Sequence, residues 1–445
     1  MKKIIGLALV AFLISGCHRQ APETDLEKGK ALYAEHCSSC HGPKGDGQGE
    51  AAEYLFPKPR NLTSGILKYR TTRGEFPSDL EILQTMKKGI PGSSMPGWDI
   101  LGMGDWRAIL AYIKSLAPKL DGKPGSEFNV PSEPAVTKEL IDQGSALFAQ
   151  SGCIGCHGVE GQGNGPAAMS LKDRWGDRIL PRDLTRGPLK WGTTPKEIYR
   201  SLALGIAGTP MPSYESKFTA DQLWSLVHYL KSIQKPHPEG YDPSNPSRTF
   251  LRAARVAGPL PLEDSDPAWR GAPAIPVFLK PLWFEREATE WLSVKALTNG
   301  QELALLVEWE DDQLNASPGL EDKLAVQFPM EEAADPADLP YVGMGSAGKP
   351  VNIWEWNGKD FLDSNASGPR TLKAQKLPLN QLTGKARFAE GGGWHVIFRR
   401  RLQTLDRDDA KIGGVGYFSF ALWDGDLPRH PGPDAFSEWL IYQLE

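Results

Sequence analysis

Two short segments of the sequence each place a pair of cysteines directly before a histidine. They occupy residues 37–41 and 153–157, and both have the pattern C-x-x-C-H. Two thiols at this spacing can add to the two vinyl groups of one porphyrin, and the adjacent histidine can then reach the iron as its proximal ligand. The pattern therefore predicts covalently attached haem c at both segments. The predicted attachment residues are Cys37, Cys40, Cys153 and Cys156, and the predicted proximal ligands are His41 and His157.

Two other kinds of site use a C-x-x-C pair. A redox disulfide does not need the histidine that follows. Half of a zinc site would need two more cysteine or histidine ligands nearby, and beyond the motifs themselves the adjacent sequence offers no such pair. The haem interpretation is therefore favoured over both.

Two methionines stand at the same distance from the two motifs. Met95, in Ser-Ser-Met-Pro-Gly-Trp, and Met211, in Thr-Pro-Met-Pro-Ser-Tyr, each follow the first cysteine of their motif by 58 residues. A thioether is a soft ligand that raises the potential of a haem. We predict Met95 and Met211 as the sixth iron ligands. The alternative is that a methionine fills core space, which we expect for Met86 and Met103.

The repeat continues beyond the ligands. Arg60 lies in a PRNLT segment and Arg182 in a PRDLT segment, so that both could pair with haem propionates or remain solvated surface cations. We expect the glycines after each motif to let the backbone turn closely beside the porphyrin. The repeated glycines are Gly45, Gly47, Gly49 and Gly89 in the first unit, and Gly161, Gly163, Gly165 and Gly205 in the second.

Each unit begins and ends with a helical pattern. Apolar residues recur at three- and four-residue steps in the segments 26–36, 105–117, 141–151 and 219–233. Asp105 and Thr219 are candidate caps of the closing helices. His36 is expected at the surface beside the first motif, and His228 in the core of the second closing helix.

These features resemble the class I cytochrome c family over residues 24–118 and 137–235. The resemblance implies small all-α domains that transfer single electrons, with the cysteines, histidines and methionines named above as the haem-binding residues. Two ligands on each iron leave no open position for substrate chemistry. We therefore expect an electron-transfer protein and not an enzyme.

The N-terminus predicts export. Two lysines precede an apolar run at 4–14 that is too short to span a bilayer. The segment Ile14-Ser15-Gly16-Cys17 resembles a bacterial lipobox, which implies a signal peptide over 1–16 and a lipid on Cys17; ordinary cleavage nearby is the alternative. We expect an anchored protein on the periplasmic side of a bacterial membrane, and His18 in place of Asp favours the outer membrane.

Length and charge indicate the number of domains and argue against nucleic acid as a partner. The 445 residues suffice for about three domains. A net charge of -5 does not suggest a nucleic-acid partner. Segments 119–136 and 236–267 are rich in proline, glycine and serine and are predicted as linkers.

The sequence after residue 267 changes to short strand patterns. Asn299-Gly300 separates two alternating runs and suits a hairpin with a type I′ turn. Many short strands with glycine- and proline-rich turns favour an antiparallel sandwich over 268–445. The fold class is thus multidomain: two all-α class I cytochrome c domains followed by an all-β sandwich domain. Its predicted core includes Trp283, Trp309, Trp354, Trp394 and Trp439.

Four segments of this last domain resemble the ethylbenzene-dehydrogenase-related haem-binding family. They are GMGSAGKPVNIWEWNGKDF, GGGWHVIFRRRL, FALWDG and SEWLIYQL. The resemblance implies the electron-transfer subunit of periplasmic molybdenum enzymes that act on ethylbenzene, dimethyl sulfide, chlorate, selenate or nitrite. It also implies a haem b held between a methionine and a lysine.

Met344 matches the family's methionine, but no lysine follows the WDG segment. By spacing, Asp434 stands in its place, and a carboxylate is a poor ligand for haem b. Three outcomes remain open: His430 supplies the second ligand, Met344 binds the iron alone, or the domain has kept its scaffold without a haem.

The sequence as a whole predicts an exported, lipid-anchored electron carrier with two haem c groups and an open question over one haem b. The second family suggests the haem subunit, or the redox partner, of a periplasmic molybdopterin oxidoreductase with an iron–sulfur subunit. The alternative is a di-haem cytochrome whose haem-free sandwich binds carbohydrate or a protein partner. A peroxidase-like enzyme would need an open iron position, which the repeated Met-Pro pairs argue against.

Overall fold

The fold is that of a computed structural model in which two helical domains precede a large β-domain. This order confirms the predicted fold class. The structure describes residues 25–122, 124–187, 189–190, 192, 194–241, 250–284, 288–315, 319–333, 336–375, 381–427 and 432–445.

Each helical domain is built from four helices in the same order. The first contains α1 (Asp25–His36), α2 (Ser38–His41), α3 (Asp79–Lys88) and α4 (Met103–Leu116). The second contains α5 (Lys138–Gln150), α6 (Ile154–His157), α7 (Pro195–Leu204) and α8 (Ala220–Ser232). The opening and closing helices were predicted from periodicity, whereas α3 and α7 were not.

The opening helix crosses the closing helix at a glycine in both domains. A Cβ atom on Gly29 would lie 1.9 Å from the carbonyl oxygen of Ala108, and one on Gly144 would lie 2.0 Å from that of Ser225. Only a residue without a side chain lets the two backbones approach this closely. The crossing fixes the position of the opening helix, and each C-x-x-C-H motif begins after the end of that helix.

The two closing helices begin differently. Thr219 is the N-cap of α8, and its side chain accepts from the backbone of Gln222, as predicted. Asp105 is not the cap of α4, because the helix already begins at Met103. Its carboxylate accepts from the backbone N–H of the true N-cap, Gly102, at 3.2 Å.

Two of the predicted core residues have different environments. Met86 is buried in the core of the first domain, whereas Met103 is 54% exposed, so the core prediction for Met103 was wrong. Met103 is the first residue of α4 and lies outside the crossing. His228 is buried in α8 beside Trp224, as predicted.

Both predicted linkers contain ordered, packed structure. Residues 119–136 are tied to the first domain by Phe128 N–H, which donates to the carbonyl of Thr71 at 2.9 Å. The Phe128 ring is buried in the core of the second domain. Strand β1 (Phe250–Arg255) begins inside the segment predicted as the second linker.

The β-domain is a sandwich of two sheets that share one long strand. The first sheet has the order β10-β11-β5-β4-β1-β14-β12, and the second has the order β12-β6-β7-β8-β9. The strands after β1 are β2 (Ile275–Phe278), β3 (Lys280–Pro281), β4 (Trp291–Thr298), β5 (Glu302–Trp309), β6 (Lys323–Pro329), β7 (Val351–Trp356), β8 (Phe361–Ala366), β9 (Lys373–Ala374), β10 (Thr383–Phe388), β11 (Trp394–Arg401), β12 (Val415–Trp423), β13 (Ala435–Phe436) and β14 (Leu440–Leu444). The pairing is antiparallel except at β1, which runs parallel to both β14 and β4.

The predicted hairpin is confirmed, but its turn type was wrong. β4 and β5 pair with Thr298 opposite Leu303. Among the described residues other than glycine, only Met344 and Arg370 have a positive φ, so Asn299 cannot form a type I′ turn. Its side chain instead accepts from the backbone N–H of Gln301 at 2.9 Å and of Glu302 at 2.8 Å. Asparagine thus closes the hairpin through its side chain.

Two of the five predicted core tryptophans lie elsewhere. Trp309, Trp354 and Trp394 are buried between the sheets. Trp283 contacts Phe56 of the first helical domain, with tilted rings whose centroids are 5.5 Å apart. Trp439 lines a cavity between that domain and the sandwich, and it also packs on an apolar cluster of the second sheet. Both tryptophans therefore lie at an interdomain contact and outside the core between the sheets.

The two helical domains also contact each other directly. Arg73 forms an ion pair with Glu215 at 2.6 Å, and the guanidinium of Arg60 lies over the ring of Trp175, 4.1 Å from its centroid. The second helical domain reaches the sandwich through Arg182 and Glu290, 2.6 Å apart and both largely buried. All three domains thus meet near the two PR-x-LT segments.

Candidate haem-binding sites

A single helical turn positions the two thiols and the imidazole of each motif. Cys37 precedes α2, and the backbone N–H of His41 donates to the carbonyl of Cys37 at 2.9 Å. The second motif repeats this contact between His157 and Cys153, also at 2.9 Å. None of these cysteines is in a disulfide. The short turn places both thiols and the imidazole at one end of the opening helix.

Both histidine rings are held in the form that can bind iron. Nδ1 of His41 lies 2.9 Å from the carbonyl oxygen of Arg60, and Nδ1 of His157 lies 3.2 Å from that of Arg182. A carbonyl only accepts, so Nδ1 must donate and Nε2 keeps its lone pair. Burial lowers the pKa of both imidazoles, which favours the neutral ligand form.

The methionines sit on equivalent loops that fold back on the preceding helix. The Met95 carbonyl accepts from Ile90 N–H at 3.0 Å, and that of Met211 accepts from Ile206 N–H at 3.1 Å. Gly89 ends α3 with φ 63°, and a Cβ there would lie 2.4 Å from the backbone of Pro96. The left-handed glycine therefore lets the loop lie directly against the helix end.

In the first domain these groups line one cavity. Cys37, Cys40, His41 and Met95 all face it, and its empty space is about 1570 Å³, part of which is open to solvent. The remaining wall is mainly apolar, which suits the flat hydrophobic face of a porphyrin. The apolar wall includes Tyr33, Leu62, Leu67, Ile82, Met86, Trp98, Leu101, Trp106, Ile109 and Ile113.

A buried cation is also available to this cavity. Arg60 lines it, and its Nε and Nη2 atoms have no hydrogen-bond partner among the described residues. Burial lowers the pKa of this guanidinium to about 10. An unsatisfied buried guanidinium is costly unless an anion meets it. The residues of the first site therefore fit a haem whose propionates reach Arg60. Arg182 differs, because it already pairs with Glu290.

In the second domain the motif and its methionine also border the apolar core. Cys153, Ile154 and Met211 pack against its apolar core. Tyr214 hydrogen-bonds the Cys153 thiol, and the pKa of that thiol is raised, chiefly by burial. The second motif and its methionine are thus brought together as in the first domain.

Two glycines after the motifs let the chain fold against the motif's own backbone. A Cβ on Gly49 would lie 2.1 Å from the carbonyl oxygen of Ser39, and one on Gly165 would lie 2.4 Å from that of Ile154. Close approach to the C-x-x-C-H turn therefore requires glycine at these two positions. The expected approach of the backbone to the porphyrin stays a prediction.

His36 is not the surface residue that was predicted. Its side chain is 9% exposed, lines the first cavity, and lies 5.0 Å from the ring of Trp98. Burial is the main cause of its lowered pKa. Stacking on Trp98 explains its position, since the tryptophan follows the Met95 loop directly.

Of the two predicted haem b ligands, the structure describes only Met344. Met344 is half-buried and packs against an apolar cluster on the second sheet. Asp434, which stands in the lysine's place, is buried, and its carboxylate accepts from Asp424 N–H at 2.8 Å. His430 and the lipidation candidate Cys17 lie outside the described residues.

Two absences hold within the described residues. No group of three or more cysteine, histidine or acidic side chains there could hold a metal ion. Within the same residues, no helix has the length and hydrophobicity needed to cross a bilayer.

Four residues that line the first cavity were missed because they come from the β-domain. Leu282, Tyr341, Val342 and Phe436 lie more than 200 residues from the motif that they face. No local pattern marks them as part of a haem site. The only hint was the large number of aromatic residues in the second half of the chain.

Comparison with known proteins agrees with this domain structure. Residues 26–117 and 141–234 match the family model described as Cytochrome c, and residues 266–361 match that described as Ethylbenzene dehydrogenase. Cytochrome c-554(547) of Halothiobacillus neapolitanus is 37% identical over 95 residues, which are 21% of this chain and 97% of that protein.

Two respiratory proteins are more distant relatives. The Putative respiratory nitrate reductase heme subunit ORF7 of Haloferax mediterranei is 24% identical over 42% of this chain and 70% of that protein. The Cbb3-type cytochrome c oxidase subunit CcoP of Helicobacter pylori is 26% identical over 47% of this chain and 59% of that protein. The chain thus spans little more than half of the CcoP subunit.

Proposed function

Because the chain belongs to the cytochrome c family and carries two of its domains, we propose that it is a two-haem electron relay within a respiratory system. One observation carries the proposal: each motif histidine offers Nε2 because a backbone carbonyl holds its Nδ1, and an equivalent methionine loop lies in the same domain. A haem c bound at such a site supplies reversible one-electron chemistry.

The chain's own residues would perform four tasks in each domain. The cysteines would hold the porphyrin covalently, and the histidine and the methionine thioether would be the ligands of its iron. The apolar wall keeps water from the site. In the first domain Arg60 would meet propionate charge. With both iron positions filled, the chain moves electrons and performs no substrate chemistry.

Carbon monoxide tests this assignment, because it binds reduced haem iron only where a position is open. We expect no prompt change in the visible spectrum when it is added to the reduced full-length protein at neutral pH. Prompt binding at both irons would contradict the proposed His/Met ligation.

The proposed partner is a molybdopterin oxidoreductase with an iron–sulfur subunit. Two findings support this choice: the match of 266–361 to the Ethylbenzene dehydrogenase family and the similarity to a nitrate reductase haem subunit. Affinity capture of the tagged full-length chain from its native membranes should recover such a protein. Recovery of other redox proteins alone, under conditions that preserve complexes, would count against this partner.

The proposed location is the periplasmic side of a bacterial membrane, with the outer membrane favoured. The support is the lysine-flanked apolar run and the lipobox-like segment that ends at Cys17. Cys17→Ser is expected to remove labelled fatty acid from the protein and to release it from the membrane fraction. A variant that stays bound and labelled would show that the anchor lies elsewhere.

A further inference from the structure

The first cavity is closed by the β-domain. Among the residues that the β-domain contributes, Tyr341 contacts the first motif directly. Its hydroxyl lies 3.4 Å from the sulfur of Cys40. Leu282, Val342 and Phe436 complete this wall opposite the first domain's own residues. A site that a free cytochrome domain would leave open to solvent is therefore covered by another part of the same chain.

Backbone hydrogen bonds of Phe56 with Leu282 and Phe284, called the seam below, fix the β-domain in this position. Phe56 N–H donates to the Leu282 carbonyl at 2.7 Å, and Phe284 N–H donates to the Phe56 carbonyl at 2.8 Å. Both phenylalanine rings are buried, at 7% and 3% exposed. Paired backbone hydrogen bonds next to buried rings make this a fixed contact and not a loose interdomain one.

Charged contacts surround the same seam. Glu53 pairs with Arg370, and Glu35 pairs with Lys349 at 3.1 Å. In both pairs the first helical domain supplies the acid and the β-domain supplies the base. This complementarity orients the β-domain on the face that carries the first motif.

The loop that carries Met344 also presents Tyr341 and Val342 to the first cavity. Gly345 N–H donates to the Tyr341 carbonyl at 2.8 Å, and Met344 itself has a left-handed backbone with φ 73°. The turn leaves Tyr341 and Val342 facing the first cavity, while Met344 packs on the second sheet. A left-handed backbone is unfavourable for methionine, so the surrounding contacts must hold it there.

Asp434, which stands at the family's other haem b position, takes part in the same seam. The backbone carbonyl of Asp434 accepts from Leu282 N–H at 2.7 Å and from Trp283 N–H at 3.0 Å. Its carboxylate accepts from Asp424 N–H. Two residues later, Phe436 faces the first cavity. The two described positions that the family uses for a haem b therefore do not fit one here.

We propose that the β-domain binds no haem b and serves as a fixed cap on the first haem c site, with Tyr341 as its main water-excluding residue. This inference rests on the proposed haem at the first site. It deepens the proposed relay, because the β-domain lines the cavity of the first site, whereas it reaches the second helical domain through Arg182 and Glu290.

The second domain shows the contrast. Met169 stands where the first domain has Glu53, at the same distance from its motif, and it is 59% exposed. Val159, just after the second motif, is 77% exposed. Among the described residues these two side chains face solvent, and we assign exchange of electrons with an outside protein to this edge of the second site.

The first part of the test is the haem content of the full-length protein. A pyridine haemochrome spectrum should show c-type haem only, and added free haem should not bind with a b-type spectrum. Stoichiometric haem b would overturn the inference while leaving the relay intact. Absence of haem c would instead defeat the proposed function.

The second part is a pair of variants at Tyr341. Tyr341→Ala opens the wall, so water gains access and stabilises the more highly charged oxidised iron. The first haem's potential should fall and its reduction by dithionite should become faster, with haem content and the second haem unchanged. Tyr341→Phe keeps the wall and should behave as the wild type. Spectra of Met95→Ala and Met211→Ala assign the two haems.

The matched control is Leu405→Ala, at a β-domain side chain that is 99% exposed. It should change neither potential. If Tyr341→Ala retains its haem content and both potentials are those of the Leu405→Ala control, the cap proposal is wrong. If Tyr341→Ala shifts the second haem instead, the assignment of the cap to the first site is wrong.

Discussion

Met95→Ala is expected to remove about half of the long-wavelength sulfur-to-iron absorption of the oxidised protein, because one of two thioether ligands is lost. Met211→Ala should remove the other half, and the double variant all of it. Covalent haem content should stay unchanged, since the attachment cysteines are intact. Carbon monoxide should now bind one iron in each single variant and two in the double variant.

The same variants should lower the potential of the affected haem. Methionine raises the potential of cytochrome c haems, and axial ligands as a group span about 0.8 V. Spectroelectrochemical titration should therefore show one potential moved far below the other in each single variant. Met103→Ala is the control, because this methionine is 54% exposed and lies outside the cavity. A double variant with its sulfur-to-iron band intact would contradict the proposed ligands.

The second large effect is expected in the core of the β-domain, at Arg400. Its side chain is 0% exposed and lies 3.2 Å from the carboxylate of Asp363 and 3.3 Å from that of Asp409. It also donates to the carbonyl of Ala410 at 2.6 Å and lies over the ring of Trp354. Arg400→Met would keep much of the volume but leave two buried carboxylates without their cation.

Removal of one partner from a buried ion pair costs about 3–5 kcal/mol. Denaturant unfolding followed by near-ultraviolet circular dichroism of the tryptophans should show this loss in the β-domain transition. Arg401→Met is the matched control, because the neighbouring side chain is exposed and should change stability little. Equal stability of the two variants would show that the buried network is not needed.

The loss of unfolding free energy caused by Arg400→Met should also depend on pH. Burial raises the pKa of Asp363 to about 6, against a lowering influence from Arg400. Loss of the arginine raises this pKa further. An acid whose folded-state pKa is raised stabilises the fold when protonated and loses that contribution as pH rises through the folded pKa. The deficit should therefore be larger at pH 8 than at pH 5.

Local sequence patterns predicted the parts of the fold that local physics determines. The opening and closing helices follow from apolar periodicity, and the motif turn follows from cysteine and histidine spacing. The Met95 and Met211 loops could be located because a duplication repeats the distance to each motif. The short helices α3 and α7 were missed, although Ser78 and Thr194 form capping boxes with Glu81 and Glu197.

Long-range contacts could not be predicted in the same way. Nothing near Tyr341 in the sequence indicates Cys40, and nothing near Phe56 indicates Leu282. Trp283 and Trp439 have the composition of core residues, yet they lie at the contact between the β-domain and the first helical domain. A tryptophan can be buried in a core or in an interdomain contact, so residue type alone does not separate the two.

The family resemblance of the β-domain located four of its strands. The segments that carry the resemblance became β7, β11, β12 and β14. The missing lysine was visible in the sequence, whereas the use of the Asp434 backbone in the seam with Leu282 and Trp283 was not. Hydrogen bonds of the main chain leave no signature in residue identity, which is why this contact could be seen only in the structure.

Haem stoichiometry of the purified full-length protein tests the central claim most directly. Intact mass and a pyridine haemochrome titration, taken on the same sample after maturation in a host that attaches haem c, should give two covalent haems per chain. Conversion of Cys153 and Cys156 to serine should leave one. A single covalent haem in the unaltered chain, or none, would contradict the account.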